Sequence, residues 1–342
     1  MHQPGSQLGG CRLGAPLGRG ATALTWDAHH LALDIPVVLK LLDPSRAQGQ
    51  MAVAERFLAE GRVLARLSHP GVVRVLSAGE ERGQVYLVLE RLAGPSLRGA
   101  LREGLPELEE AVEWTARLAE GLGAVHAAGL VHRDVKPENI LFDAEGYPKL
   151  VDFGLAFGEG QRDTAQVMGT PAYMSPEAAQ GRALDGRSDL YSLGVVLFEL
   201  LCNRWPFNAP SPRLILEKQV REEVDTRPLK ERGVPRPVLA FVERAMAKDP
   251  ADRPPDGASF AEELRAAASR PTLGKRKSGA RGKSLSSSGH RLPARGPGGR
   301  GAPRARSKGS NAGVVLLLLA LCGAAVGATY YFVLGRPPAA RE

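Results

Sequence analysis

The chain predicts an α+β protein in which strand-forming segments gather ahead of Leu92 around one helix, helix-forming segments follow, and a tail of different chemistry ends it. Three observations predict this. A glycine turn at Leu17–Thr25 lies between strand-like segments and leads to Val37-Val38-Leu39-Lys40, an apolar strand pattern. Apolar residues then recur at helical spacing through Val53, Phe57, Leu64 and Leu67, and again through Trp114, Leu118, Leu122 and Val125. Beyond Ala268 large apolar residues nearly vanish until a last, uninterrupted apolar stretch.

The composition, 43% hydrophobic and 24% charged over 342 residues, suits a globular protein with appendages rather than a fibrous or wholly disordered chain. Its net charge of +8 is unevenly placed: the tail after Ala268 carries 14 Lys and Arg against one acid, Glu342, whereas the residues before it hold 36 acids and 31 bases. The basic character belongs to the tail, so no nucleic acid partner is expected for the folded part. Cys11, Cys202 and Cys322 show no paired spacing, which points to neither a disulfide framework nor a zinc site and fits a reducing compartment. Met1 to Leu13 lacks a long apolar core behind a basic start, so no secretory signal is expected there.

The glycine turn reads Leu17-Gly18-Arg19-Gly20-Ala21-Thr22-Ala23-Leu24-Thr25. Glycines let backbone N–H groups approach phosphate oxygens with no Cβ in the way, although alone this segment reads equally as a plain hairpin turn. Lys40 alternates onto one face of the next strand, where its ammonium can reach the same phosphates. Glu60 lies on the first helical stripe. Lys40 and Glu60 on their own fit an ordinary surface ion pair worth about 0–1 kcal/mol. The segment Val131-His132-Arg133-Asp134-Val135-Lys136-Pro137-Glu138-Asn139 is more specific. It sets a proton acceptor, Asp134, two residues before a cation, Lys136, and five before an amide, Asn139, in one loop. Asn139 and Asp152, of Asp152-Phe153-Gly154, supply hard oxygen ligands suited to Mg²⁺.

The order and spacing of these motifs resemble the eukaryotic-like protein kinase family over roughly residues 8 to 268, with bacterial membrane-bound serine/threonine kinases the nearest in layout. The resemblance implies a two-lobed fold: an N-terminal extension at 1–12, a small β-rich lobe with one main helix at about 13–92, and a larger helical lobe at about 93–268. It implies ATP and Mg²⁺ (or Mn²⁺), with residues Leu17 to Thr25 and Val38 around the nucleotide and Gly18 and Gly20 over its phosphates. Lys40, held by Glu60, would contact the α- and β-phosphates. Leu89 would be the gatekeeper of a hinge, Glu90, Arg91 and Leu92, that meets adenine through its backbone. Asp134 would be the catalytic base, and Asn139 and Asp152 would hold the metal. Two structural supports are implied: Glu177 of Ser175-Pro176-Glu177 pairing with Arg253, and Asp189, which opens the apolar run Leu190 to Leu201, tethering the catalytic loop.

Lys136 and the Gly169-Thr170-Pro171-Ala172-Tyr173 segment resemble the serine/threonine branch, in which Thr170 reaches Asp134 and Lys136. Arg133 beside Asp134 implies regulation by activation-loop phosphorylation. Thr164 is the only hydroxyl between Leu155 and Gly169, hence the expected autophosphorylation site. Three positions depart from the family pattern. Ala23 stands for the third loop glycine, Thr25 for a valine, and Val38 for an alanine. Val38 adds two methyls where the purine slides between lobes, and overpacking of this kind costs about 1–3 kcal/mol, so a raised ATP KM is expected. These departures leave a membrane-anchored pseudokinase scaffold as the alternative, against which Lys40, Glu60, Asp134, Lys136, Asn139 and Asp152 are all present.

Residues 269–311 are Arg, Lys, Ser, Gly and Pro with almost no large apolar side chain, which predicts a disordered linker reaching roughly 35 Å. Ala312 to Leu334 follows without a charge, and as a helix of about 35 Å it would cross a hydrocarbon core of about 30 Å. Bases flank its N-terminal side, which predicts a single-pass plasma-membrane protein with residues 1–311 in the cytoplasm and 335–342 as a short outer tail. Gly323 and Gly327 form a small-xxx-small pair that could let two helices approach and make a homodimer. Protein substrates are the remaining expected partners.

Overall fold

The computed structural model describes residues 2–20, 23–43, 51–153, 157–158 and 170–269. Contacts divide the chain into two units, Met1–Lys275 and Arg276–Glu342, and the fold described is that of the first. Ala21, Thr22, Thr164, and the linker and apolar segment from residue 270 onward lie outside the described residues.

The first lobe is a six-stranded antiparallel sheet of β1 (Gln7–Leu8), β2 (Cys11–Arg19), β3 (Ala23–His30), β4 (Ile35–Leu42), β5 (Val75–Glu81) and β6 (Gln84–Glu90), in the order β1-β2-β3-β4-β6-β5. Residues 7–12, which the sequence places in an extension, already belong to it: β1 pairs with β2, and Leu8 and Cys11 are buried. The strand period of two sorts β4 into two faces. Val37, Leu39 and Leu41 pack with Leu13, Trp26 and Val88 on one of them. Helix α1 (Met51–Arg66) covers β5 and β6, and its Phe57 packs with Leu42, Val85 and Leu87.

The second lobe is mostly helical. It contains α2 (Leu97–Glu103), α3 (Leu108–Ala127), the short α4 (Pro176–Ala179), α5 (Gly186–Cys202), α6 (Pro212–Arg221), α7 (Arg227–Glu231), α8 (Arg236–Ala245) and α9 (Gly257–Ser269). Short strands β7 (Leu130–Val131), β8 (Ile140–Phe142), β9 (Pro148–Leu150) and β10 (Phe157–Gly158) lie between α3 and α4, β7 with β10 and β8 with β9. Helix α5 is mostly apolar and buried from Ser188 to Cys202, as a central helix must be, with Asp189 and Glu199 as its buried acids. Asp185 caps its start, with its side chain accepting from Arg187 N, and Asn203 ends it in the left-handed region at φ 54°. Helices α3 and α9 cross so closely that a Cβ at Gly257 would stand 1.9 Å from the Ala119 carbonyl oxygen, so glycine is required there.

Hydrogen bonds join the lobes behind the cleft. Val73 N donates to Leu150 O at 2.9 Å, Leu150 N to Gly71 O at 2.9 Å, and Lys149 Nζ to Glu90 Oε1 at 2.9 Å.

The expected pair of Glu177 and Arg253 closes the far end of the second lobe. Arg253 donates to both carboxylate oxygens, at 2.7 and 2.8 Å, and Ser188 Oγ donates to Glu177 at 2.6 Å. Burial opposes the Glu177 charge, and the bonds from Arg253 and Ser188 outweigh it, leaving the carboxyl below its ordinary pKa. Because the Arg253 side chain is fully buried, Arg253→Ala strands a carboxylate out of water and should lower unfolding free energy by about 3–5 kcal/mol. Chemical denaturation of the full-length chain checks this, and a loss below about 1 kcal/mol would show that the pair does not support the fold.

Candidate active site

Val38 and Lys40 occupy the face of β4 opposite Val37, Leu39 and Leu41, and there they line a cavity of about 880 Å³ between the lobes. Strand register sets Thr25 beside Lys40 and Val38 beside Leu89, so the departures at Thr25 and Val38 share one wall with Leu89. Leu17, Gly18, Arg19, Gly20 and Ala23 line the cavity above, and Glu90, Arg91 and Leu92, at and just after the end of β6, line it as well. A Cβ at Gly18 would meet no protein atom within 4 Å, so packing does not demand the glycine. Arg19 reaches the buried Asp43 at 2.5 Å, which ties the glycine turn to the end of β4.

Leu24, expected at the nucleotide, is elsewhere. It packs on the Leu13 and Trp26 side of the sheet, because it alternates with Ala23 and Thr25, which face the cavity.

Across the cleft, the loop after β7 is held by one buried acid. Asp189 Oδ2 accepts from His132 N and from His126 Nε2, both at 2.8 Å, and its Oδ1 accepts from Arg133 N at 2.8 Å. Full burial opposes its charge, but these donors outweigh that and hold its pKa below the ordinary value. Arg133 sits in the left-handed region at φ 67°, uncommon for a residue with a Cβ, and the bond from its amide to Asp189 fixes it there. The His132 ring donates from Nε2 to Val151 O at 3.1 Å and lies against Phe153 with ring centroids 4.6 Å apart.

The expected chemical groups converge on this loop. Lys136 Nζ donates to Asp134 Oδ2 at 2.6 Å, and Asn139 Nδ2 donates to the Asp134 carbonyl at 2.9 Å and to its Oδ2 at 2.8 Å. Asp134, Lys136, Asn139, Asp152 and Thr170 all line the cavity, with Lys40 opposite. Thr170 makes no hydrogen bond to Asp134 or Lys136 among the described residues, contrary to expectation, although it shares the cavity with both. Sequence reasoning gave no role to Val73, Glu138, Leu141 or Val151, which complete the lining. Only Glu138 carried a signal, since it lies inside the quoted loop motif.

Lys40 is engaged differently from expectation. Its ammonium is hydrogen-bonded to Asp152 and makes no bond to Glu60 among the described residues. Asp152 adopts φ 63°, and although burial opposes its charge, Lys40 holds its pKa below the ordinary value. Glu60 lines a small adjoining pocket with Phe57, Lys40, Asp152 and Phe153. Burial raises its pKa to about 8, against the opposing fields of Lys40, Arg133 and Arg56. Two carboxyl groups compete for one lysine, and here Asp152 holds it.

The residues fit a divalent metal bound with a nucleotide. Among the described residues no cluster of three His, Cys, Asp or Glu side chains forms a ready metal cage. The carboxylate of Asp152 and the amide of Asn139 line the cavity, and Mg²⁺ is commonly held by such sparse protein oxygens plus substrate phosphates.

The sequence pattern of the protein kinase domain family matches residues 12–265. A probable serine/threonine-protein kinase of Streptomyces coelicolor is 37% identical over 260 residues, which are 73% of this chain and 38% of that protein. The serine/threonine-protein kinase PknL of Mycobacterium tuberculosis is 38% identical over 258 residues, 74% of this chain and 64% of its own length. A serine/threonine-protein kinase of Myxococcus xanthus is 35% identical over 270 residues, 75% of this chain and 49% of its own. The chain thus spans between 38% and 64% of these relatives.

The Glu60 carboxyl has a pH signature. Its pKa rises from 4.5 to about 8 in this arrangement, so the stability it contributes is fully present below about pH 4.5 and is lost as the pH rises through about 8. Without nucleotide or metal, the melting temperature of the full-length chain should fall between pH 6 and 9 relative to Glu60→Gln, which cannot ionise. Parallel melting curves for the two proteins across that range would show that Glu60 is not held unpaired.

Proposed function

The chain belongs to the protein kinase domain family, and from that premise we propose that it is a serine/threonine protein kinase which transfers the γ-phosphoryl group of ATP to hydroxyls of proteins. One observation carries the reading: Lys40, Asp134, Lys136, Asn139 and Asp152, far apart in sequence, line a single cavity large enough for a nucleotide.

In this reading the acceptor hydroxyl lies at Asp134. Its oxygen attacks the γ-phosphorus, the bond from that phosphorus to the bridging oxygen breaks, ADP leaves, and the hydroxyl proton passes to Asp134. Lys136, held 2.6 Å from the same carboxylate, places a positive charge where the transferring group is most anionic. Mg²⁺ held by Asn139 and Asp152 would neutralise charge between the β- and γ-phosphates. Lys40 would serve the α- and β-phosphates, with Glu60 in the adjoining pocket as its partner there. Glu90 and Leu92 offer hinge backbone to adenine, and Thr170 supports serine/threonine choice from its place in the cavity. Of the substitutions that motivate a pseudokinase scaffold, Ala23 is buried in β3, and Thr25 and Val38 line the cavity together with Lys40.

We further read residues 312–334 as a single membrane span, 269–311 as a flexible basic linker and the kinase domain as cytoplasmic, on the charge asymmetry around the apolar segment. Among the described residues no helix is long and apolar enough to cross a membrane, so the span rests on sequence. Dimerisation through Gly323 and Gly327, and control by phosphate on Thr164 opposite Arg133, belong to the same reading.

Purified full-length chain given labelled ATP and Mg²⁺ should incorporate phosphate, and Asp134→Asn should reduce this by at least about a hundredfold, the usual worth of a general base. Phosphopeptide mapping of the label then tests Thr164. Incorporation unaffected by Asp134→Asn would remove Asp134 from the chemistry. In cells, the full-length chain should stay with membranes through alkaline extraction and a version ending at Ala268 should be released; release of both would remove the span.

A further inference from the structure

Beside the acceptor end of the cavity, three side chains from separate segments converge on one arginine. Arg98, near the start of α2, donates from Nε to Glu138 Oε1 at 2.8 Å, from Nη1 to Glu199 Oε1 at 2.6 Å and from Nη2 to Glu199 Oε2 at 3.3 Å. Its Nη2 also donates to the Tyr173 hydroxyl. That hydroxyl donates in turn to Glu199 Oε2 at 2.6 Å and accepts from Trp205 Nε1 at 3.1 Å. Glu199 is buried in α5, whereas Glu138 is 45% exposed and lines the cavity next to Asn139. Thr170, three residues before Tyr173, lines the same cavity. Burial works against the charge of Arg98, but its bonds to Glu199 and Glu138 outweigh that and raise its pKa above the ordinary arginine value.

The cluster holds two carboxylates and one cation. Without Arg98 it would be an anionic pocket, half-open to solvent through Glu138, at the side of the cavity where a peptide carrying the acceptor hydroxyl must pass Asp134. Such a pocket has the planar, multiply accepting geometry that suits a guanidinium. We propose that Arg98 is a specificity-determining residue: it fills from within the chain a two-carboxylate pocket that would otherwise receive an arginine of the substrate. The chain therefore selects acceptor hydroxyls without needing a basic residue at that flank. This rests on Asp134 being the acceptor-side base.

The experiment measures kcat/KM of the full-length chain on serine peptides in which one arginine is moved through each position flanking the acceptor. The unaltered chain and Arg98→Lys should discriminate by no more than about threefold among positions, as expected where an internal cation already occupies the pocket. Arg98→Ala should gain a preference of about tenfold or more at a single position, close to one charge-assisted contact. Adding Glu138→Gln to Arg98→Ala should erase that gain, and free guanidinium should compete with it. A purely structural role for Arg98 would lower all rates together and leave the profile flat, which would overturn the proposal. Should Arg98→Ala fail to fold, Arg98→Gln replaces it, withdrawing the charge while keeping a hydrogen-bonding side chain: a preference gained at one position upholds the proposal, and a flat profile, or a preference already present in the unaltered chain that Glu138→Gln removes, overturns it. No incorporation by the unaltered chain on any peptide would overturn both readings, and total activity distinguishes that result from a flat profile in an active chain.

Discussion

A single buried carboxylate sets the geometry on which the cleft depends. Asp189 is enclosed in α5, where an unpaired charge would be prohibitive, and it is tolerated because three donors from the opposite side of the cleft loop meet it. Two of the donors are the consecutive amides of His132 and Arg133, so the carboxylate dictates the backbone immediately ahead of Asp134 and holds Arg133 at a positive φ. Once those amides are placed, Asp134, Lys136 and Asn139 follow within one short turn and lock one another through Asp134 Oδ2. The apolar core of α5 thus serves the chemistry by making Asp189 rigid.

The opposite wall of the cleft obeys a looser constraint. Lys40 is fixed by the register of β4, but its ammonium has two carboxyl groups to choose from. With Asp152 bonded to it, Glu60 is left in a pocket where burial favours its neutral form against the field of Lys40. The state of one proton on Glu60 and the partner of one lysine are therefore coupled, since ionisation of Glu60 makes it a better partner than before. The same economy of charge appears at the cleft edge, where Arg98 satisfies Glu138 and Glu199 at once.

Much of the fold was legible because its signals are periodic and local. The alternation in β4, the helical stripe of α1 and the mostly apolar run of α5 each report which face of an element is buried, and the structure follows them. Glu177 with Arg253 and Asp189 with the catalytic loop were reachable through family likeness, since their partners sit inside recognisable motifs. Leu24 faces away from the cavity for a local reason: alternate residues of a strand face opposite ways, so a contiguous motif in β3 cannot present every side chain to one site. Val73, Leu141 and Val151 were missed because apolar residues of cavity wall and core look the same in sequence.

By itself the sequence determined which chemical groups the protein possesses, their order along the chain, and the split between a folded part and a basic tail with an apolar end. Only the tertiary structure decided how those groups pair: Lys40 with Asp152 rather than Glu60, and Arg98 with two glutamates and a tyrosine from three other segments. The reason is physical. Periodicity is a property of neighbouring residues and survives in the linear chain, whereas the choice among charged partners depends on distances and burial that exist only once remote segments have packed.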